Sequence, residues 1–178
     1  MSSCQIIRDN ILFLRQGIDL LEELNDEIYV KAVEPFFNSG IGKHIRHNLD
    51  HYELFLGGLQ AGYIDYDGRR RDRQVETDRH YATQKMLSII SRLEGIEAQS
   101  LDDSISVQMN ENAGSSPHSQ STIRRELQFL VSHTVHHYAL IAIILKIQGF
   151  EYDKDFGVAP STLKYQRSQQ TKCVLSRG

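Results

Sequence analysis

Apolar residues recur every three or four positions in four separate stretches of this chain, and no other feature restricts its fold so strongly. That period lines up one stripe of each stretch on one side of an α-helix. The first stretch runs from about Cys4 to Val33, with Ile7, Ile11, Leu14, Ile18, Leu21 and Ile28 in its stripe. Pro35, which cannot continue a helical ladder, stops it. The second runs from about Ile41 to Ala61 with Ile45, Leu49, Tyr52, Leu56 and Leu59 on one face and Gly62 as its terminator. The third begins near Thr77 as a cap, with Asp78 suited to the positive end of the helix dipole. It buries Ala82, Met86, Ile89 and Leu93 and ends near Gly95. The fourth extends from about Ser121 to Gln148, with Gly149 just beyond it. Four long amphipathic helices predict an all-α protein built as a four-helix bundle.

The segments between them carry weaker signals. Tyr63 to Glu76 lacks periodicity and reads as a long crossover loop between helices two and three. Residues 96 to 120 read as a loop with a possible short strand in SISVQMN, whereas ENAGSSPHSQS is polar and turn-forming. The tail from about residue 158 is expected to be irregular. A length of 178 residues suits one domain, residues 1–178, which can bury roughly two-thirds of its unfolded surface without staples.

Twenty Lys and Arg stand against 23 Asp and Glu, so no global basic field favours nucleic acid or an anionic membrane. The longest uninterrupted apolar run, Tyr138 to Leu145, is well short of the roughly 20 residues that span a bilayer. MSSCQIIRDN has no basic region followed by an apolar stretch, which makes the cytoplasm the expected compartment. Cys4 and Cys173 form no Cys-x-x-Cys pair and read as free thiols. The run Arg69, Arg70, Arg71, Asp72, Arg73 reads as a solvated or salt-bridged loop. Its functional alternative is a connection that carries an arginine to the mouth of a site.

Six of the eight histidines fall into two clusters, His44, His47 and His51 on helix two and His133, His136 and His137 on helix four. At about 100 degrees per residue, His133 and His137 lie within about 60 degrees of Leu130, on the stripe of Leu127, Thr134, Ile141 and Ile144. Both therefore point inward, while His136 lies about 120 degrees away at the edge of the buried face. Burying two imidazoles one turn apart on a Leu and Ile stripe is costly without partners, and metal coordination removes that cost. A divalent site ordinarily needs a third protein ligand, which helix two can supply from His44, His47 or His51. No His-Glu-x-x-His or Glu-x-x-His motif is present, leaving a mononuclear, histidine-rich site. Neutral imidazole accommodates zinc, nickel, iron or copper.

IGKHIRH at the start of helix two, SHTVHHYALI in helix four and the intervening YDGRRRDRQVETD make the sequence resemble the DinB or YfiT-like family of metal-binding four-helix bundles. The likeness covers most of the chain. It implies an up-up-down-down bundle, a homodimer, and one divalent zinc, nickel or iron ion held by His47, His133 and His137. His51 is a neighbouring alternative to His47. It further implies, from some members, transfer of a low-molecular-weight thiol onto a small electrophile, so that the partners are those two molecules and neither nucleic acid nor membrane. Three neutral ligands leave a coordination position open, which favours an enzyme. The alternatives are a metal-dependent hydrolase and a non-catalytic bundle whose metal ties two helices together.

Overall fold

The computed structural model describes residues 5–109 and 118–175, the side chains of residues 167 and 170–175 excepted. The described chain is mostly helical: α1 (Gln5–Glu23), α2 (Asp26–Val30), α3 (Ile41–Gly58), α4 (Arg73–Thr77), α5 (Arg79–Glu94), α6 (Ile123–Ile147) and α7 (Pro160–Leu175). Three short strands, β1 (Tyr63–Asp65), β2 (Ser104–Gln108) and β3 (Ser119–Thr122), accompany the helices. The four expected helices are α1, α3, α5 and α6. Each packs on two of the others, α1 and α3 both against α5 and α6. Their stripes meet in one core, in which Leu14, Leu21, Ile45, Leu49, Ala82, Met86, Leu127 and Ile141 are buried.

Helix ends follow local capping. The first helix was expected to reach Val33, but α1 ends at Glu23, and Asn25 caps a new short helix by accepting the Ile28 N–H at 2.9 Å. The cap of α5 is Asp78 rather than Thr77, its carboxylate accepting from Tyr81 N–H at 2.9 Å. Thr122 caps α6 by accepting from Arg125 N–H.

The largest departure from expectation is the segment from Tyr63 to Glu76. It is not structureless: it contains β1 and most of α4, and it joins α3 to α5, which pack side by side. β1 runs parallel to β2, Tyr63 opposite Ser106 and Asp65 opposite Gln108, and β2 is antiparallel to β3. The possible strand in SISVQMN is thus present, in a stretch otherwise expected to be loop, and gains two partners. Ile64, Ile105 and Val107 are buried in the core. The expected irregular tail contains α7. Residues 110–117 of the turn-forming stretch lie outside the described residues, as do Cys4 and the side chain of Cys173.

Two glycines let the 63–77 segment lie directly on α3. A Cβ on Gly42 would overlap the Glu76 carbonyl, and one on Gly58 would overlap the Tyr63 carbonyl. Between those contacts Arg46 bridges Asp50 at 2.9 Å and Glu76 at 3.0 Å, and Tyr29 Oη donates to the Val75 carbonyl. The segment is therefore held at both ends, with Arg69 over the middle of α3. Among the described helices α6 is long and apolar enough to cross a membrane by length and composition. Its apolar face, with Leu127, Leu130, Ile141 and Ile144, is spent on packing against α1 and α3.

Candidate metal centre

α3 and α6 meet along a face that both supply with histidine. The i, i+4 spacing sets His133 and His137 one above the other on α6, and His47 approaches them from α3. One ligand nitrogen from each of His47, His133 and His137 lies within 4.8 Å of the other two. The His47 ring centre is 4.9 Å from that of His133 and 4.6 Å from that of His137, and the latter two are 4.7 Å apart. Nitrogens bound to one tetrahedral ion at about 2.0–2.1 Å would stand about 3.4 Å apart, so small side-chain rotations suffice. The three residues named from sequence are thus close enough to hold a metal ion.

The imidazoles are suited to that role because they are neutral. Burial, first, and then the neighbouring His51 and His133 push His47 down to about 3. His133 is lowered to about 4 by burial and then by His51, and His137 to about 2 by burial and then by His133, His47 and His44. Each ring keeps a lone pair at neutral pH, the form that ligates. The Nε2 atom of His133 is buried with no hydrogen-bond partner, an otherwise costly state that a metal bond relieves. The donor set and this orphaned nitrogen fit a divalent transition metal.

The other histidines fall around this group. His51 is 5% exposed and donates from Nδ1 to the His47 carbonyl at 2.8 Å, which leaves its lone pair on Nε2. Its ring centre is 4.2 Å from His133, and it stacks on Tyr66, yet it stays outside the group of three. His44 Nδ1 lies 3.0 Å from His137 Nδ1, and His44 Nε2 is 3.4 Å from Ser39 Oγ. With the proton on His137 Nδ1, that ring keeps its lone pair on Nε2, while His44 Nε2–H faces the serine. His136 is exposed, as its position on the helical wheel indicates.

A residue that the sequence reading gave mainly to a solvated loop also enters the site. Arg69 Nη1 lies 3.0 Å from His47 Nδ1, and its positive charge lowers His47, His51 and His133. The arginine-rich run was a signal for it, but one without power to say which arginine turns inward. Asp72 of the same run is structural: it caps α4 and accepts from Tyr81 Oη at 3.0 Å. Tyr52 and Tyr138 are core residues. Tyr52 Oη donates to Asn10 Oδ1 at 2.9 Å and Tyr138 Oη to the Phe13 carbonyl at 3.0 Å. A cleft of about 630 Å³ opens elsewhere on α3, between Asp50, Glu53, Asp72, Lys85 and Arg92. Five of its charged residues are held in the pairs Arg92–Glu53, Lys85–Asp72 and Arg46–Asp50, Asp65 and Arg70 also line it, and no histidine does.

Fold and site together define a predominantly helical protein with three neutral histidines gathered from two helices. No family model matches the chain. It is 33% identical over 108 residues to FK506-binding protein 5 of Rhizopus delemar; the aligned stretch is 60% of this chain and 28% of that protein. The chain thus covers less than a third of the length of the relative it matches.

Proposed function

We propose that the protein is a metal-dependent enzyme of the DinB or YfiT-like kind, a four-helix bundle with the up-up-down-down order of that family. It would act in the cytoplasm, as a homodimer, and join a low-molecular-weight thiol to a small electrophile. The observation that carries the metal reading is the convergence of the His47, His133 and His137 nitrogens within 4.8 Å, with His133 Nε2 buried and unpartnered. The packing of α1 and α3 on α5 and α6 supports the bundle, and the resemblance of IGKHIRH and SHTVHHYALI supports the chemistry. FK506 binding, which the name of the Rhizopus relative states, is not carried over, because the match covers 28% of that protein.

A zinc, nickel or iron ion there would supply Lewis acidity, favouring the deprotonated form of a thiol near neutral pH. His47, His133 and His137 would hold the ion. His44 Nδ1, 3.0 Å from His137 Nδ1, is placed to accept a proton held there, the tautomer that keeps the His137 Nε2 lone pair for bonding. His51 and Phe129 flank His133, and Tyr66 backs His51, which screens that side of the centre from water. The same site would serve metal-dependent hydrolysis if water rather than a thiol is activated, and a closed fourth position would make the metal purely structural.

Protein purified without chelator or affinity resin is expected to contain one metal per chain. A panel of thiols and electrophiles run on the metal-loaded protein, the chelated protein and His133→Ala should show turnover in the first sample alone. Equal rates in all three would leave only the structural role.

A further inference from the structure

Among the described residues the guanidinium of Arg69 has no acid to balance it. Its Nη1 meets His47 Nδ1 at 3.0 Å, its Nε is buried without a hydrogen-bond partner, and no ion pair among the described residues includes it. The nearby cation of α3, Arg46, differs in having both Asp50 and Glu76. Nor is Arg69 a freely swinging surface side chain. Its backbone N–H donates to the Asp67 carbonyl at 2.9 Å, and Asp65 Oδ1 accepts the N–H groups of Asp67 and Gly68 in the turn before it.

The chemistry of imidazole adds a constraint. A guanidinium has only donors, so His47 Nδ1 is the acceptor of this contact, and the proton of neutral His47 sits on Nε2. A neutral imidazole has one lone pair in its plane. A metal bound to Nδ1 takes the lone pair that Arg69 uses. A metal bound to Nε2 requires the proton to move to Nδ1, which then can no longer accept. In both cases Arg69 loses its acceptor on metal binding and is left with unpartnered donors beside a dication held by neutral ligands. That charge distribution calls for an anion with acceptor oxygens at the guanidinium.

We propose that Arg69 is the anion-receiving residue of this centre, and that the thiol or electrophile held there carries a carboxylate within reach of the atom presented to the metal. This rests on the metal reading above and narrows its substrate class. It assigns Arg69 to substrate binding, with the planar fork of its guanidinium matched to the two carboxylate oxygens.

The test uses the full chain loaded with cobalt(II), titrated with mercaptoacetate and with 2-mercaptoethanol while the sulfur-to-cobalt charge-transfer absorption is followed. Wild type should bind mercaptoacetate about tenfold or more tightly than 2-mercaptoethanol, the scale of one lost charge-assisted contact. Arg69→Gln should retain one cobalt per chain and bind 2-mercaptoethanol as wild type does, with the preference for mercaptoacetate gone. Arg69→Lys should recover part of it. An undiminished preference in Arg69→Gln would mean that the carboxylate chelates the metal unaided, and no preference in wild type would equally overturn the proposal. Cobalt lost from Arg69→Gln would make Arg69 a support for His47 instead. Wild type that takes up no cobalt would sink the metal reading itself and this proposal with it, whereas cobalt uptake without a carboxylate preference sinks the role of Arg69 alone.

Discussion

Two polar clusters lie between α3 and α6 less than two turns apart, and they are built on opposite principles. Around Tyr52 the polar atoms supply one another: Tyr52 Oη donates to Asn10 Oδ1, Asn10 Nδ2 donates to the Ile6 and Leu127 carbonyls, and Thr134 Oγ1 donates to the Leu130 carbonyl. All three side chains are essentially inaccessible to solvent. Around His47 three half-buried imidazoles face one another, with His133 Nε2 unpartnered and the cation in contact with His47, Arg69, unmatched by an acid among the described residues. A cluster that serves stability closes its hydrogen bonds within the chain. One that serves binding leaves lone pairs and donors for something the chain does not itself provide.

The sharpest way to break this contrast is to remove a ligand. His133→Ala or His137→Ala should abolish stoichiometric metal binding, read by elemental analysis after dialysis, while circular dichroism still reports a helical fold. Wild-type metal content and affinity in either variant would take that residue out of the site. The wild type should also gain about 2.7 kcal/mol of stability at a free metal concentration 100-fold above its Kd, and neither variant should.

Acid provides the next test. His47, His133 and His137 are all lowered from an ordinary value of about 6.5, so between the folded and unfolded values the unfolded chain binds more protons than the folded one. Their contribution to the stability of the metal-free protein is therefore complete above about pH 6.5 and is lost as the pH falls toward about 4, where His133 begins to protonate in place. Urea unfolding across this range should show a steeper decline for wild type than for His133→Ala. Parallel profiles would mean that burial at this position does not depress the imidazole.

A smaller and opposite effect is expected one turn along α3. Tyr52→Phe leaves Asn10 Oδ1 without its donor and should cost about 1–3 kcal/mol in urea unfolding, with metal content unchanged. Loss of metal in this variant would show that the two clusters are energetically one. The least perturbing change is His51→Ala, which should preserve one metal per chain and weaken its affinity by about tenfold, as expected for a residue beside the ligands. Complete loss would place His51 among the ligands and reopen the choice between it and His47.

The amino-acid sequence alone determined the features that depend on neighbours within a turn or two. The four long helices, their buried stripes and the inward pairing of His133 with His137 all follow from a period of 3.6 residues, which is local. The strand at Ser104–Gln108 showed through the alternation of Ile105 and Val107. β3, with the sequence SQST, has no apolar alternation to betray it, and α7 has no apolar stripe to mark it as a helix. The short helix α2 was hidden because the first apolar stripe runs on through Ile28 past the break at Asn25. Which histidine of α3 meets the α6 pair, and which arginine of five neighbouring residues turns toward His47, were decided by tertiary structure. The first depends on the register of α3 against α6. The second depends on a parallel pairing of β1 with a strand some 40 residues away and on two glycines that admit the backbone of the 63–77 segment onto α3. Such placements arise from contacts between elements far apart in the chain, and no local period encodes them.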